Sequence, residues 1–586
     1  MSSFNRREWM GAAAGAALTA DPGKAAARRP NVILILSDDQ GYGDLSLHGN
    51  PYLKTPSLDA IARQGDEFTR FYVSPVCAPT RASLLTGRYN LRTGVHGVTH
   101  GRETMRTSEV TIAEALRQAG YRTALFGKWH LGEHYPNVPH AQGFDEFVGF
   151  RTGHWMNYYD SPVERNGKPS SLKGYITDAL TDEALGFVER NRGRPFFLYL
   201  AYNVPHSPFQ VPRRYFDPFK KQGLDDSTAA VYGMVSNLDE NVGRLTRRLD
   251  EWKLAGDTIL IFLTDNGPAT DRYVCGLRGR KASVFEGGVR APFFIRWPGR
   301  LPAGRKVDRI AAHIDMYPTV LELCGVKAPD GPPVDGVSIA PLMKGDAAAW
   351  PDRMIFTHQT RPAALGDPHP GAVRTQRFNL VNGADLYDIE DEPGEKTNVA
   401  AKHPGKVSEL RAAYEAWFKV AADQCGFERM PIPVGHPQED PVTLAAPQSF
   451  FTGSIHFYGK AGYAHDWLTG WTSAADLVYW DIDVARGGRY LVSLRYLCPQ
   501  EDTGARVAVS AGQASVEGAV SRPTPMSPQP PLAVFDAPGY PIMSFATLEL
   551  GALALPGGRT KLTVKALSKP GKAVMDLKEV ILKRLP

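Results

Sequence analysis

Three unbroken apolar runs, each followed by polar residues, are the feature that most constrains how this chain can fold. They lie in "RPNVILILSDDQGYGD", "RPFFLYLAYNVPH" and "DTILIFLTDNG". Runs of this kind predict central parallel strands that are buried on both faces of a sheet. The polar groups that follow them are Asp38-Asp39, His206 and Asp265-Asn266. Because ligands bind outside the carboxyl ends of the strands in open α/β sheets, we expect these groups to meet at one edge.

Helical segments alternate with these strands. "PSLDAIARQG" and "TIAEALRQAG" have apolar residues at helical spacing and end in glycine, and residues 227–252 form a longer helical stretch. This alternation predicts an α/β domain with a mainly parallel sheet packed between helices. We place that domain at residues 29–425, with a smaller C-terminal subdomain from about residue 300.

The last part of the chain has a different pattern. A length of 586 residues exceeds what one core usually holds, so a second domain is expected. Short alternating segments such as "LVYWDIDV" and "GRYLVSLRYLC" predict a C-terminal β-sandwich over residues 446–586. The Pro-rich stretch between the two domains predicts a linker at residues 426–445.

The N-terminus indicates where the protein works. Residues 1–28 contain the pair Arg6-Arg7 followed by the small-residue apolar run "WMGAAAGAALTA", which resembles a twin-arginine export signal. We therefore expect a bacterial periplasmic or secreted protein without an integral membrane segment in its mature form. The alternative is a disordered tail with a chance arginine pair. A net charge of only +5 argues against a dedicated nucleic-acid binder.

The polar groups at the strand ends have the chemistry of a metal site. Asp38, Asp39, Asp265 and Asn266 all offer oxygen donors, which suit Ca²⁺ or Mg²⁺ better than zinc. Each of these residues taken singly is better explained as a helix cap or a turn former. Two such groups on matching strand ends favour a cation site.

Cationic side chains in glycine-flanked loops indicate an anion site beside that metal. They are Arg81, Lys128 and Lys281, together with His130, His206 and a less certain third histidine, His134. A divalent cation surrounded by such groups would bind a tetrahedral oxyanion such as sulfate or phosphate. A lone lysine, in contrast, is normally a solvated surface residue.

Two longer motifs carry a resemblance to a known family. "PVCAPTRASLLTG", residues 75–87, contains "CAPTR", which is similar to the Cys-x-Pro-x-Arg signature of the type I, formylglycine-dependent sulfatases. "GYRTALFGKWH", residues 120–130, resembles the second signature of this arylsulfatase-like family. The blocks "SDDQGYGD", "LTDNG", "KASVFEGGVRAP" and "LYDIEDEPGE" resemble further family blocks in the same order. The resemblance spans residues 29–424 and implies the fold of the alkaline phosphatase superfamily.

The resemblance implies a specific chemistry for Cys77. In this family a formylglycine-generating enzyme oxidises the signature cysteine to Cα-formylglycine, so that enzyme would be a partner during maturation. The aldehyde hydrate, bound to one Ca²⁺ per site, would attack the sulfur of a sulfate ester and displace the alcohol. Its second hydroxyl would then lose a proton, expel sulfate and restore the aldehyde. A serine ester could not eliminate sulfate in this way.

The resemblance also implies roles for the other site residues. The calcium ligands would be Asp38, Asp39, residue 77, Asp265 and Asn266. Arg81 would hold the hydrate, and Lys128 and His130 would flank it, with His130 as the base for elimination. His206 and Lys281 would contact the sulfate and the leaving oxygen. We expect His206 to protonate the leaving alcohol, because the intrinsic pKa of histidine is nearer neutral than that of lysine.

The core signatures do not identify the substrate. Aromatic and arginine-rich loops, such as "RTGHWMNYYDSPVERNG", suit a polyanionic sugar but are also ordinary surface loops. Trp467, Trp471 and Trp480 could form a sugar platform in the C-terminal domain or simply pack in its core. Export and the appended β domain favour a sulfatase of sulfated polysaccharides or glycosaminoglycans.

Two rival functions remain open from the sequence. One is a phosphonate or phosphate ester hydrolase of the same superfamily, and the other is a protein that binds sulfated glycans without turnover. The remaining cysteines, Cys275, Cys324, Cys425 and Cys498, are interpreted as packing residues.

Overall fold

The structure is a computed structural model that describes residues 29–345, 350–361, 363–533, 535 and 540–586. The export signal expected at residues 1–28 lies outside these ranges. Among the helices of the described ranges, none combines the length and the apolar character needed to cross a bilayer.

The secondary structure follows the expected alternation. The helices are α1 (Pro56–Arg63), α2 (Cys77–Thr86), α3 (Ile112–Gln118), α4 (Ile176–Asn191), α5 (Arg213–Lys221), α6 (Asp226–Glu251), α7 (Glu286–Val289), α8 (Met316–Leu323), α9 (Ala340–Lys344) and α10 (Pro404–Cys425). The strands of the first domain are β1 (Asn31–Ser37), β2 (Asp66–Phe68), β3 (Phe71–Tyr72), β4 (Arg122–Lys128), β5 (Glu146–Phe150), β6 (Pro162–Arg165), β7 (Lys168–Ser171), β8 (Phe196–Ala201), β9 (Thr258–Thr264), β10 (Arg290–Ala291), β11 (Phe293–Arg296), β12 (Arg305–Val307), β13 (Ala311–Ala312), β14 (Ile355–His358), β15 (Gly371–Arg374), β16 (Phe378–Val381) and β17 (Asp385–Asp388). The strands of the C-terminal part are β18 (Ile432–Val434), β19 (Val442–Ala445), β20 (Phe450–Phe451), β21 (His456–Phe457), β22 (Leu468–Thr469), β23 (Leu477–Val484), β24 (Gly488–Leu497), β25 (Ala505–Ala511), β26 (Ala514–Val520), β27 (Ala546–Leu555), β28 (Gly558–Ser568) and β29 (Asp576–Arg584).

One large sheet organises the first domain. Its strand order is β12-β2-β11-β9-β1-β8-β4-β5-β6-β7, and the central strands β9, β1, β8, β4 and β5 are parallel. Every residue of β1, β8 and β9 is buried. This is why these strands are continuous apolar runs and not alternating ones.

Helices cover both faces of this sheet. Ile33 and Ile35 point into a core shared with α1, α4 and α6. Leu34 and Leu36 point into a second core shared with α2, α3 and α8. Two apolar layers enclose the sheet, and the predicted α/β class is confirmed.

A smaller sheet follows the large one. Strands β14 to β17 form an antiparallel meander in sequential order, and α10 packs on it through Leu410, Tyr414 and Phe418. These elements occupy the region expected to be a smaller subdomain.

The C-terminal part is β-rich, as predicted. One sheet has the order β18-β23-β28-β25-β26 and the other β21-β22-β29-β24-β27, and a single apolar core contains side chains of both. Residues 426–445, which we expected to be a linker, contain β18 and β19. These strands pair with β23 and β29 respectively. Alternate buried residues in both short strands let them extend the sandwich.

The three tryptophans of this part are core residues. Trp467, Trp471 and Trp480 are 2%, 1% and 0% exposed. Their faces are covered by protein, so the hypothesis that they form a sugar platform is wrong, and packing explains them.

Candidate active site

Four strand ends meet at one edge of the large sheet. The register pairs Ser37 of β1 with Thr264 of β9, and Leu36 of β1 with Ala201 of β8. Ala201 in turn pairs with Gly127 of β4. The residues that follow these positions therefore emerge side by side, which brings Asp38, Lys128 and Asp265 together as the strand-end argument requires.

Helix α2 supplies two further groups to this edge. Cys77 is its first residue and Arg81 lies one turn later, so both side chains lie on the same face. The buried Arg81 guanidinium donates to Asp265 Oδ2 at 2.8 Å and to the carbonyl of Lys128 at 3.2 Å. The four-residue spacing of Cys77 and Arg81 therefore places both side chains at this edge of the sheet.

Two of the carboxylates in the site are each paired with a lysine. Lys128 Nζ lies 2.7 Å from Asp38 Oδ2, and Lys281 Nζ lies 2.6 Å from Asp39 Oδ1. The Asp38 and Lys128 side chains are 1% and 0% exposed. Charges buried this deeply are tolerated only when they are paired or bind an ion.

Unpaired oxygens within this cluster fit a hard cation. Asp38 Oδ1 and Asn266 Oδ1 are buried and have no hydrogen-bond partner among the described residues. Ligand atoms of Asp38, Cys77 and Asp265 lie within 4.8 Å of one another. Buried oxygens without donors are the ligands that Ca²⁺ and Mg²⁺ prefer, so the residues present fit a divalent cation.

The pKa values of Asp265 and Asp39 are shifted in opposite directions. Burial, reinforced by the charge of Asp38, raises the pKa of Asp265 to about 6 against the opposing effect of Arg81. Burial also acts to raise the pKa of Asp39, but Lys281 and His206 outweigh it and hold that pKa well below its usual range. Crowded carboxylates of this kind gain from a cation between them.

His130 has the geometry of a base. Its Nε2 lies 2.9 Å from the carbonyl oxygen of Val98, so Nε2 carries the proton and donates it. Its buried Nδ1 then bears the lone pair and has no partner among the described residues. Burial, with the charge of Lys128, lowers the pKa of His130 well below its ordinary value, which keeps the ring neutral.

His206 lies next to Asp39. Its Nδ1 is 2.7 Å from the carbonyl of Ser207 and its Nε2 is 3.7 Å from Asp39 Oδ2. Burial lowers the pKa of His206 to about 3, although Asp39 acts to raise it. The ring is therefore neutral in the free protein near pH 7, and it can donate only the proton of one ring nitrogen.

Cys77 is not activated as a thiol. Burial raises the pKa of its thiol, and the nearby Lys128 and Lys281 do not reverse this effect. A protonated thiol is a weak nucleophile.

A cavity of about 770 Å³ opens above these groups. Among the residues predicted from the sequence, it is lined by Asp39, Cys77, His130, His206 and Lys281. Arg81, Lys128, Asp38, Asp265 and Asn266 are buried beside them. The structure thus brings together every predicted catalytic and metal-binding residue, whereas His134 contacts Gln448 Oε1 at 3.1 Å outside this cluster.

All five cysteines are free thiols. Cys324, Cys425 and Cys498 are buried among apolar side chains, in agreement with their interpretation as packing residues. Cys275 donates to the carbonyl of His48 at 3.1 Å and pairs with no other cysteine.

Some residues that shape the site had no motif to reveal them. Arg272 pairs with Asp44 at 2.7 Å and donates to the carbonyl of Asp39 at 2.8 Å. It thereby holds Asp39 in the left-handed conformation, with a φ of 65°. Gly153 packs directly against the His130 ring. Both contacts join segments more than twenty residues apart, so no local spacing indicates them.

Two family models match this chain. The model described as Sulfatase matches residues 30–326. The model described as N-sulphoglucosamine sulphohydrolase, C-terminal, matches residues 280–415. The matched segment contains all the residues of the site described above.

Individual proteins that are similar to this chain include sulfatases. N-acetylgalactosamine-6-sulfatase of Canis lupus familiaris is 34% identical over 371 residues, which is 56% of this chain and 68% of that protein. Arylsulfatase A of Bos taurus is 34% identical over 444 residues, or 64% and 84% of the two chains. The crystal structure of Ps i-CgsB in complex with k-i-k-neocarrahexaose is 30% identical, with a TM-score of 0.63, and covers 69% of this chain and 95% of that one.

Proposed function

Since this chain belongs to the sulfatase family, we propose that it hydrolyses sulfate esters of sulfated sugars with a Cα-formylglycine nucleophile made from Cys77. The observation that carries the proposal is the buried cluster at the strand ends. It combines unpaired carboxylate and amide oxygens with Cys77, Arg81 and Lys128 in one place. The oxygens can bind a hard cation, and the Arg81 and Lys128 side chains can donate hydrogen bonds to a sulfate group.

In this proposal the metal is Ca²⁺, held by Asp38, Asp39, Asp265, Asn266 and residue 77. Bound there, the cation makes a hydroxyl of the converted residue more acidic and offsets the negative charge of the sulfate. The Cys77 sulfur occupies the place of that residue's oxygens. Where Lys128 and Lys281 now pair with Asp38 and Asp39, they can also donate to sulfate oxygens.

The remaining roles follow from hydrogen-bonding geometry. Arg81, fixed by Asp265 and the Lys128 carbonyl, holds residue 77 in one orientation. His130, with Nδ1 free to accept, takes the proton that allows sulfate to be expelled. His206 and Lys281 contact the leaving oxygen. His206 is neutral in the free site, and the approaching sulfate charge raises its pKa so that it can protonate the alcohol.

The relatives support a sulfated sugar as substrate. One is named for an N-acetylgalactosamine 6-sulfate substrate, and another was solved with a neocarrahexaose. Both curated relatives described above are sulfatases, which favours sulfate esters over phosphate or phosphonate esters. A binding protein without turnover is disfavoured because every position that the family chemistry needs is filled.

We further propose export to the periplasm or beyond. The support is the Arg6-Arg7 pair and the small-residue run of residues 1–28. Because twin-arginine export carries folded proteins, the formylglycine-generating enzyme would act on Cys77 before export.

The decisive experiment is the mass of the tryptic peptide covering residues 71–81, "FYVSPVCAPTR", after co-expression with a formylglycine-generating enzyme. We expect a CHO group in place of CH₂SH at residue 77. The same sample should hydrolyse 4-nitrophenyl sulfate far faster than 4-nitrophenyl phosphate. The matched control is Cys77→Ala, which we expect to fold and to be inactive. An unmodified thiol, in cells that convert another sulfatase, contradicts the proposed mechanism.

A further inference from the structure

A loop of the C-terminal domain forms part of the wall of the reaction cavity. Ala461, Tyr463 and Ala464 line the same cavity as Cys77 and His206. This loop, residues 458–466, lies beyond residue 415, where the matched family models end. The matched family models therefore do not cover this loop.

The loop is held in one shape by its own contacts. Tyr458 donates its N–H to the carbonyl of Trp467 at 3.0 Å, and their rings stack at 4.2 Å. The N–H of Gly459 donates to Asp466 Oδ1 at 3.1 Å, and that of Tyr463 donates to the Tyr540 hydroxyl at 3.2 Å. A binding loop held this way loses little entropy when a ligand binds.

Specific hydrogen bonds dock the loop on the catalytic domain. Thr99 Oγ1 donates to the carbonyl of Gly462 at 2.8 Å. On the other side of the loop, His465 Nε2 lies 2.9 Å from the carbonyl of His154. The ring of His154 in turn packs edge-on against His206, with centroids 5.2 Å apart. The loop is thus positioned next to His154 and His206, which the proposed function places near the leaving oxygen.

Tyr463 presents an aromatic surface in this wall. It is 51% exposed although it lies in an ordered loop between two domains. Aromatic faces that remain open in a polar cavity are suited to packing on the apolar face of a sugar ring, with the hydroxyl available for hydrogen bonding. Tyr458, four residues earlier on the same loop and also 51% exposed, is not among the residues that line this cavity.

Arg102 supplies a positive charge to the same cavity. It forms no ion pair within the described part of the chain, whereas buried Arg81 and Arg272 each have a carboxylate partner. Burial lowers the pKa of Arg102, and only Glu103 acts to raise it. A half-buried guanidinium without a partner is a favourable place for an incoming carboxylate or sulfate.

We propose that the loop of residues 458–466 forms, together with Arg102, the binding site for the sugar next to the scissile sulfate: Tyr463 packs on the sugar ring and Arg102 binds an anionic substituent. This inference rests on the proposed sulfatase function. It makes the substrate an anionic oligosaccharide and not an isolated sulfate ester, and it assigns the C-terminal domain a direct part in specificity.

The test compares a small ester with oligosaccharides in the converted, full-length protein. The small ester is 4-nitrophenyl sulfate. The oligosaccharides are tetrasaccharides of chondroitin 6-sulfate, heparin and ι-carrageenan, each assayed for sulfate release and for inhibition of the small ester. We expect Tyr463→Ala and Arg102→Gln to lower kcat/KM for the best oligosaccharide about tenfold more than they lower kcat/KM for the small ester. The loss of one stacking or ionic contact has an effect of about this size.

The carbohydrate arms identify the anionic group. Chondroitin and heparin fragments carry carboxylates, whereas the carrageenan fragment carries only sulfates. An Arg102→Gln effect confined to the first two indicates a carboxylate, and an effect on the third indicates a second sulfate. Matched controls are Tyr52→Ala and Arg559→Gln, two exposed side chains outside the loop that do not line the cavity; both should behave as wild type.

Three results would overturn the inference while leaving a sulfatase intact. The first is that Tyr463→Ala and Arg102→Gln lower kcat/KM equally for the small ester and for the oligosaccharides. The second is that the control variants lower kcat/KM as much as these two variants do. The third is that none of the three tetrasaccharides binds although the small ester is hydrolysed. Failure of the wild-type protein to hydrolyse the small ester, with residue 77 converted, would contradict the proposed function itself.

Discussion

At the scale of single residues, the site depends on how closely glycine allows chain segments to approach. Gly153 lies against the His130 ring, and a Cβ built there would overlap Nε2 and lie 2.6 Å from Cδ2. The His130 ring would have to move to accommodate it. The hydrogen bond from Nε2 to the Val98 carbonyl would then be lost, and with it the orientation that leaves Nδ1 free.

We therefore expect Gly153→Ala to lower kcat for 4-nitrophenyl sulfate about tenfold or more. The Tm should change little, because the ring can move toward the cavity. The matched control is Gly193→Ala, where an added Cβ meets nothing within 4 Å. Equal kcat values for the two variants would show that the position of the His130 ring does not matter for turnover.

At the scale of elements, the sequence motifs mark individual segments, but only the structure shows which other segments they contact. Glu286 lies in α7, within "KASVFEGGVRAP", and Arg374 ends β15 of the small sheet. Both side chains are fully buried, and Arg374 Nε donates to Glu286 Oε1 at 3.0 Å. Glu395 of "LYDIEDEPGE" accepts the N–H of Glu286 at 2.7 Å. These contacts join the small sheet to the loop that carries Lys281.

Arg374→Met tests the contact between the small sheet and the loop that carries Lys281. Removing the guanidinium leaves Arg290, at 3.6 Å, as the remaining ion-pair partner of the buried Glu286 carboxylate among the described residues. Breaking a buried ion pair on one side costs about 3 kcal/mol or more. We expect Tm to fall by several degrees in calorimetry. Arg377→Met, three residues away with an exposed ion pair to Asp388, is the control and should have little effect. A similar small change in both variants would contradict a structural role for the buried pair.

At the scale of the whole molecule, a second cavity of about 550 Å³ lies between the two domains. Arg151 bridges this junction, with Nη1 and Nε each 2.5 Å from a carboxylate oxygen, of Glu439 and Glu164 respectively. Glu133 also lines the cavity. Burial, and then the charges of Glu103 and Glu439, raise the pKa of Glu133 to about 8 against the opposing effect of Arg151.

This raised pKa makes the junction sensitive to pH. An unfolded glutamate titrates near its ordinary pKa of about 4.3, so between that value and about 8 the folded protein binds more protons. Stability should therefore fall as pH rises through this window. Glu133→Gln removes the titration, and we expect its Tm to exceed that of the wild type at pH 8 but not at pH 5.

Calorimetry at pH 5 and pH 8 measures this effect. The control is Glu189→Gln, the same substitution on α4 at a side chain that is 60% exposed; its Tm should follow the wild type at both pH values. Parallel pH dependence in Glu133→Gln and the wild type would show that another group controls the junction.

The sequence by itself determined the fold class and the candidate chemistry. Continuous apolar runs in β1, β8 and β9 are a local consequence of burial on both faces, and parallel strands must present their carboxyl ends together. The residues of the site can therefore be grouped from the sequence alone. The motif around Cys77 added the family, because a signature is also local in sequence.

Only the tertiary structure decided what lies around that site. The burial of Trp467, the pairing of β18 and β19 with the sandwich, and the placement of Tyr463 in the wall of the cavity that Cys77 also lines all depend on contacts between segments far apart in the sequence. Such contacts depend on the shapes and hydrogen-bonding groups of segments that meet only in the folded chain. No periodicity along the chain encodes them, so a buried tryptophan and an exposed tyrosine look equally suited to a sugar until the fold shows which one has an open face.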